Sequence, residues 1–217
     1  MERLKVGILA SGRGSNFQAI IDSAESGYLN IEIAVLITDN PEAFAIDRAK
    51  KHGISYLVIK PEQFSSKDKY FMQISSELQK LKVGLVILAG FMRIVRKPLI
   101  NTFRNKILNI HPALLPAFPG LHSQQQAIDH GVKISGCTVH FVDEGMDTGP
   151  IIIQAAVPVR ADDTEDTLSE RILKLEHKIF PQAIKLFSEG KLEVISNKVQ
   201  IKGVLSDDKA ITNPTLS

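Results

Sequence analysis

Leu4-Lys5-Val6-Gly7-Ile8-Leu9-Ala10-Ser11-Gly12-Arg13-Gly14-Ser15-Asn16 decides the fold, because an apolar run passes through a glycine-rich turn directly into a helical pattern. The run over residues 4–10 has the β-branched, apolar character of a buried strand, and residues 16–26 repeat with helical spacing. The same rhythm returns downstream. Residues 31–37 read as a strand and residues 42–51 as a helix, Tyr56-Leu57-Val58-Ile59 as a third strand, and residues 67–81 as a helix with Tyr70, Phe71, Ile74 and Leu78 on one stripe. Leu85-Val86-Ile87-Leu88-Ala89 is the most continuous apolar run, as a central strand covered on both faces requires. Strands alternating with helices predict an α/β fold around a mostly parallel sheet.

Ile107-Leu108-Asn109-Ile110 is a further buried strand, and the alternation stops near His111. Residues 135–142 then alternate, residues 143–149 form a glycine-containing connection, and residues 151–159 are strand again, which predicts an antiparallel pair at one side of the sheet. Residues 163–188 form one long helix with Leu168, Ile172, Leu175, Ile179 and Ile184 facing inward, Thr164 and Thr167 as caps, and Pro181 bending it late. Leu192-Glu193-Val194-Ile195 with residues 199–201 suggests a closing hairpin, and the polar end from Ser206 is expected to be loose. The expected organisation is a single domain over residues 1–190, followed by a hairpin and tail over residues 191–217.

A chain of 217 residues buries a full core without metals or disulfides. Cys137 is the only cysteine, and no CxxC or HExxH spacing points to a metal. Against 26 basic residues stand 24 acidic ones, so the sequence offers no electrostatic case for nucleic-acid binding. Its first apolar run is broken by Gly7 and by Ser11-Gly12, unlike a signal peptide or membrane span, and the expectation is a cytoplasmic protein with small-molecule partners.

Asn109 and His111 lie two apart on a strand and should face one space, with Pro112, Pro116, Pro119 and Gly120 stiffening the loop that follows. An amide beside an imidazole suits acyl transfer, in which the amide polarises a carbonyl while the imidazole moves a proton or stabilises an oxyanion. The plainer alternative makes Asn109 a turn residue and His111 a satisfied polar group. Gly12 and Gly14, with Ser15 and Asn16 opening a helix, offer backbone donors to an anion, preferably a monophosphate. No Gly-Lys-Ser/Thr follows, and Phe17 stands where a dinucleotide fingerprint has its third glycine. Asp39 lies where a ribose ligand would stand in a nicotinamide-binding fold, although Asp39-Asn40-Pro41 equally reads as a helix cap. The loop with Asp143, Glu144 and Asp147 concentrates three carboxylates, one of which could reach a histidine on a neighbouring strand end. Gly90-Phe91-Met92-Arg93 ends the central strand where open α/β sheets bind ligands. His52, His130, His140 and His177 read as surface or core residues, and only His122, after the proline loop, invites attention as a site residue.

Gly12-Arg13-Gly14-Ser15-Asn16, Leu88-Ala89-Gly90-Phe91-Met92-Arg93, Asn109-Ile110-His111-Pro112-Ala113-Leu114-Leu115-Pro116 and Asp147-Thr148-Gly149-Pro150 together resemble the folate-dependent phosphoribosylglycinamide formyltransferases of purine synthesis. The resemblance runs in order to about Gly190. It implies a Rossmann-like formyltransferase fold, 10-formyltetrahydrofolate as co-substrate and formyl donor, and 5-phosphoribosylglycinamide as acceptor. It also implies a phosphate-binding half over about residues 1–100 and a folate and catalytic half over about residues 101–190. On that likeness Asn109, His111 and Asp147 are the catalytic trio, and Gly12, Gly14, Ser15, Asn16 and Glu176 meet the acceptor. Met92, Arg93, Ile94 and Val95 would line the folate pocket with Asn109, Asp143, Glu144, Gly145, Met146 and Asp147. Lys67 stands where the family has an arginine on folate, keeping the charge but losing the fork. The resemblance points to no metal, no nucleic acid and no membrane, and leaves monomer and homodimer open. Two alternatives differ in chemistry: a formyltetrahydrofolate hydrolase, and a nucleotide-binding module that needs the glycine loop but not the trio. The related methionyl-tRNA formyltransferases carry an extra RNA-binding domain, for which the sequence offers no basic patch.

Overall fold

The computed structural model describes residues 3–203 and Asn213. In chain order the elements are β1 (Leu4–Leu9), α1 (Ser15–Glu25), β2 (Ile31–Thr38), α2 (Ala45–Lys51), β3 (Tyr56–Val58), α3 (Lys67–Lys80), β4 (Leu85–Leu88) and α4 (Lys97–Thr102). Then follow β5 (Ile107–His111), α5 (Ser123–Asp129), β6 (Ile134–Phe141), β7 (Ile151–Pro158), α6 (Glu165–Ser188), β8 (Leu192–Ile195) and β9 (Lys198–Ile201). The first seven strands form one sheet in the order β3-β2-β1-β4-β5-β6-β7, and β8 with β9 forms a separate hairpin. Strands β1 to β5 pair parallel, and β5–β6 and β6–β7 pair antiparallel. The α/β architecture expected from the sequence, parallel with an antiparallel C-terminal side, is the one observed.

Alternation along the strands builds a core on each face. In β4, Leu85 and Ile87 join Phe17, Ile20, Leu168, Ile172 and Phe180 from α1 and α6, whereas Val86 and Leu88 join Tyr70, Phe71, Ile74 and Leu99 from α3 and α4. A strand whose every side chain is buried reads as an unbroken apolar run.

Several boundaries differ from the sequence reading for local reasons. Helix α2 begins at Ala45 rather than residue 42. The Asn40 side chain caps the Glu42 N–H, and the Ala45 N–H is donated to the Gly12 carbonyl, which diverts the first turn onto the glycine loop. Helices α4 and α5 escaped the sequence reading because six or seven residues hardly display a 3.6-residue period. In α6, Thr164 is the N-cap and Thr167 completes a capping box, so Asp163 stands outside the helix. Pro181 is buried within α6. The loose end expected from Ser206 falls outside the described residues, apart from Asn213, whose amide donates to the carbonyls of Lys133 and Val159. No helix of the described residues is long and apolar enough to cross a membrane.

One half-buried ion pair fastens β7 to the start of α6. Arg171 donates from both terminal nitrogens to Asp163, each at 2.7 Å, and also to the Pro158 carbonyl at 2.8 Å. That guanidinium, helped by the Arg160 N–H and the Thr167 hydroxyl, holds the Asp163 carboxyl far below the usual carboxylate range. A depressed folded-state value contributes stability above the unfolded carboxylate pKa, near 3.9, and loses it as pH falls through the folded value. Arg171→Met should therefore lower unfolding free energy by about 2 kcal/mol at neutral pH. Urea titrations at neutral and strongly acidic pH should show that difference shrinking as Asp163 protonates.

Candidate active site

The parallel strands β1, β4 and β5 deliver the loops after Leu9, Leu88 and His111 to one edge of the sheet. Strand order reverses between β1 and β4, the position where open α/β sheets form a ligand crevice. Here a cleft of about 790 Å3 is bounded by residues 90–95, 109–112, 120–124 and parts of residues 140–147. Ser11 joins the first two loops: its N–H donates to the Gly90 carbonyl at 3.0 Å, and its hydroxyl accepts from the Met92 N–H at 2.9 Å.

Asn109 and His111 both line this cleft, as their spacing on one strand predicts. Antiparallel pairing sets His140 opposite Asn109 and Thr138 opposite His111. The Asn109 amide donates to His140 Nε2 at 3.1 Å, while His140 Nδ1–H donates to the Phe141 carbonyl at 2.8 Å. These contacts define a neutral imidazole and fix the amide's orientation. Burial drives the His140 pKa below the ordinary histidine value, against upward pulls from the Phe141 carbonyl and the Asp147 charge.

Asp147 reaches the same place from the loop between β6 and β7. Its Oδ2 lies 3.5 Å from His111 Nδ1 and its Oδ1 3.8 Å from His140 Nε2. The Gly120 N–H donates to Oδ2 at 2.9 Å. On its other side, His111 Nε2–H donates to the Phe118 carbonyl at 2.8 Å. An acceptor therefore faces each ring nitrogen of His111. Asp147 holds a left-handed φ of 56°, a conformation aspartate tolerates better than most side chains. Gly149 permits the loop's close return, since a Cβ there would run into the Phe141 carbonyl.

Of the residues expected at the folate, Met92, Arg93, Ile94, Val95, Asn109, Asp143, Gly145, Met146 and Asp147 line the cleft. Glu144 instead pairs with Lys97 at 3.2 Å, and Lys67 is an exposed residue in the first turn of α3, away from the cleft wall. Arg93 donates from Nε to Asp39 Oδ2 at 2.6 Å, which gives both residues a use that neither a ribose ligand nor a helix cap describes. Asn40 supplies the cap instead. Gly12 and Gly14 lie in the loop that opens α1 at Ser15, and Asn16 of α1 meets Glu176 of α6. The Asn16 amide donates to Glu176 Oε2 at 2.7 Å, and Asn16 Oδ1 is buried without a partner in the structure. Burial raises the Glu176 pKa, partly opposed by the Asn16 bond. Cys137 is fully buried, and its thiol is pushed up to about 12 chiefly by burial, which leaves it unreactive.

His140 is the site residue that sequence reasoning missed, and its signal was the antiparallel register that sets it opposite Asn109. His122 also lines the cleft, largely exposed, with Nδ1 3.3 Å from Glu165. Among the described residues no group of three or more His, Cys, Asp or Glu side chains could hold a metal ion.

Residues 4–184 match the formyl transferase family. The chain is 44% identical to phosphoribosylglycinamide formyltransferase of Bacillus subtilis, covering 83% of this chain and 93% of that protein. It is 46% identical to part of the trifunctional purine biosynthetic protein adenosine-3 of Drosophila melanogaster, over 87% of this chain but 14% of that much longer protein. The crystal structure of glycinamide ribonucleotide transformylase 1 from Symbiobacterium toebii superposes with a TM-score of 0.91 at 48% identity, covering 92% of this chain and 94% of that one.

Asp147→Asn removes a charge that pulls the His140 pKa upward, so His140 should titrate lower still in that variant. Nitrogen-detected NMR of the imidazole rings checks this, and an upward shift would mean that the Asp147 charge does not act on His140.

Proposed function

The chain belongs to the formyl transferase family, and we propose that it moves a formyl group from 10-formyltetrahydrofolate to the amine of 5-phosphoribosylglycinamide, a cytoplasmic one-carbon step of purine biosynthesis. The observation that carries the proposal is the convergence of Asn109, His111 and Asp147 on one cleft wall, beside a glycine loop that opens α1. The cleft's volume is that of a drug-sized ligand site, and its apolar Met92, Ile94, Val95 and Met146 suit the flat faces of a folate.

In this reaction the acceptor amine attacks the formyl carbon, a carbon–nitrogen bond forms, and the carbonyl oxygen takes the negative charge. Collapse breaks the bond to the folate nitrogen, and the proton shed by the attacking amine ends on that leaving nitrogen. The Asn109 amide, turned by His140, offers its second hydrogen to the oxyanion. His111 offers Nε2–H in exchange for its contact with the Phe118 carbonyl, so the reacting oxygen competes with that backbone group. Asp147 Oδ2 lies 3.5 Å from Nδ1 on the other side of the ring and orients it for this donation. The backbone donors of Gly12, Gly14, Ser15 and Asn16 receive the acceptor's phosphate, with Glu176 further along the same substrate. Met92, Arg93, Ile94, Val95, Asp143, Gly145 and Met146 receive the folate.

Incubation with both substrates separates this reading from its rivals. Folate release that requires 5-phosphoribosylglycinamide supports transfer, release without it means hydrolysis, and no release means a binding module. His111→Ala should lower kcat about a hundred- to a thousandfold, the loss typical of a missing oxyanion donor, while circular dichroism shows the fold retained. Near-normal turnover in that variant would remove His111 from the mechanism.

A further inference from the structure

Helix α2 takes no part in the cleft, yet its first turn grips the glycine loop through backbone carbonyls. The Ala45 N–H donates to the Gly12 carbonyl at 3.1 Å, and Arg48 Nε donates to the Arg13 carbonyl at 2.9 Å. A trans peptide points its C=O and N–H in opposite directions. Holding the carbonyls of Gly12 and Arg13 against α2 therefore turns the N–H groups of Arg13 and Gly14 away from it, to the side where α1 opens. Among the described residues neither of these two N–H groups donates to a backbone carbonyl. The contact is close, because Gly14 has a φ of 67° and a Cβ there would lie 2.9 Å from Ala45 Cβ and 3.6 Å from Arg48 Cδ.

The Arg48 side chain is itself anchored on three sides. Its Nη1 donates to Gln18 Oε1 at 2.9 Å, and its guanidinium lies 5.0 Å from the centre of the Phe44 ring. Gln18 in turn donates to Asp22 at 2.8 Å and to His52 Nε2 at 3.1 Å, and His52 Nδ1–H donates to Glu25 at 2.6 Å. Arg48 thus belongs to a network spanning α1 and α2, and its Nε and Nη1 each donate to a neutral oxygen of this chain.

We propose that Arg48 is a positioning residue for the acceptor's phosphate, holding the Arg13 carbonyl so that the loop's N–H groups converge on the anion. The proposal rests on the reading of the glycine loop as the phosphate site. Arg48 acts through the backbone and not as a charge on the ligand.

The test compares the wild type, Arg48→Met and Arg48→Lys with 5-phosphoribosylglycinamide and with the same acceptor lacking its phosphate. Loss of a charge-assisted hydrogen bond should raise KM for the phosphorylated acceptor about tenfold. KM for the phosphate-free acceptor and for folate should stay near the wild-type values, and kcat should change less than KM. Protection against thermal unfolding by inorganic phosphate should weaken in parallel. Arg48→Lys should show the same loss, because one ammonium cannot span the Arg13 carbonyl and Gln18 as the fork does. Lys also keeps an aliphatic stem against Gly14, which covers the case of an Arg48→Met chain that fails to fold. Full rescue by lysine would make Arg48 a simple charge on the phosphate and overturn the proposal, as would an unchanged KM in both variants. A wild type that does not distinguish the two acceptors would overturn the phosphate reading itself, and the proposal with it.

Discussion

Withdrawing a carboxylate from water costs several kcal/mol unless donors surround it, and Asp147 sits where three separate segments converge. The Gly120 N–H comes from the proline loop, His111 from β5 and His140 from β6. Of the three, only the backbone N–H makes a short bond whatever the protonation of the histidines. Gly120 therefore anchors the carboxylate, and the imidazoles respond to it. The two histidines differ in their partners: His140 donates to a carbonyl and accepts from an amide, which requires a neutral ring, whereas His111 faces two acceptors. Burial likewise favours the neutral His140 ring.

The change from parallel to antiparallel pairing at β5 is what permits this meeting. Only residues 138–141 of β6 pair with β5, while residues 134–140 pair with β7, so the β6–β7 arm runs past the end of His111. The proline loop leans on that overhang. Thr138 donates its hydroxyl to the Ala113 carbonyl at 2.7 Å and accepts from the Leu115 N–H at 3.0 Å, while Gln154 bonds both Thr138 and the Leu115 carbonyl. A hydroxyl with its donor and acceptor capacity used in this way is a rigid fastener. It fixes the segment that ends in the Phe118 carbonyl and the Gly120 N–H, the two backbone groups that hold His111 and Asp147.

Legibility in the sequence followed the range of the interactions concerned. The parallel strands were visible because burial on both faces leaves continuous apolar runs, and Asn109 and His111 were visible because period-two geometry acts within a single strand. The role of His140 depends on a register between two strands, and that register follows from a loop conformation that no local pattern displays. Asp39 shows the opposite failure. Its position after β2 is informative in an open α/β sheet, but its partner is Arg93, fifty-four residues away. The short helices α4 and α5 were hidden by their length, and the shifted start of α2 by a tertiary bond from Ala45 to Gly12. The assignment of Asp147 over Asp143 and Glu144 rested on the family motif. In the structure Asp143 accepts from the Gly145 N–H and the Thr148 hydroxyl, which makes it the fastener of the loop and leaves Asp147 to face the histidines.

Strand order sets the glycine loop after β1 beside the cleft wall after β4, and Ser11 links the two. Its backbone N–H holds Gly90 and its hydroxyl holds the Met92 N–H, so the glycine loop after β1 and the cleft wall after β4 are joined through one residue. Ser11 is nearly buried, and little water competes for either bond. A displacement of the glycine loop would therefore be carried into the cleft wall at Gly90 and Met92. For the proposed transfer of a small group between two bound substrates, a misplacement of about 1 Å between donor and acceptor can lower the rate about a hundredfold. The rigid β1–β4 edge, with Arg48 bracing it from α2 and Ser11 bridging it to the cleft, supplies the alignment that loops alone would leave to chance.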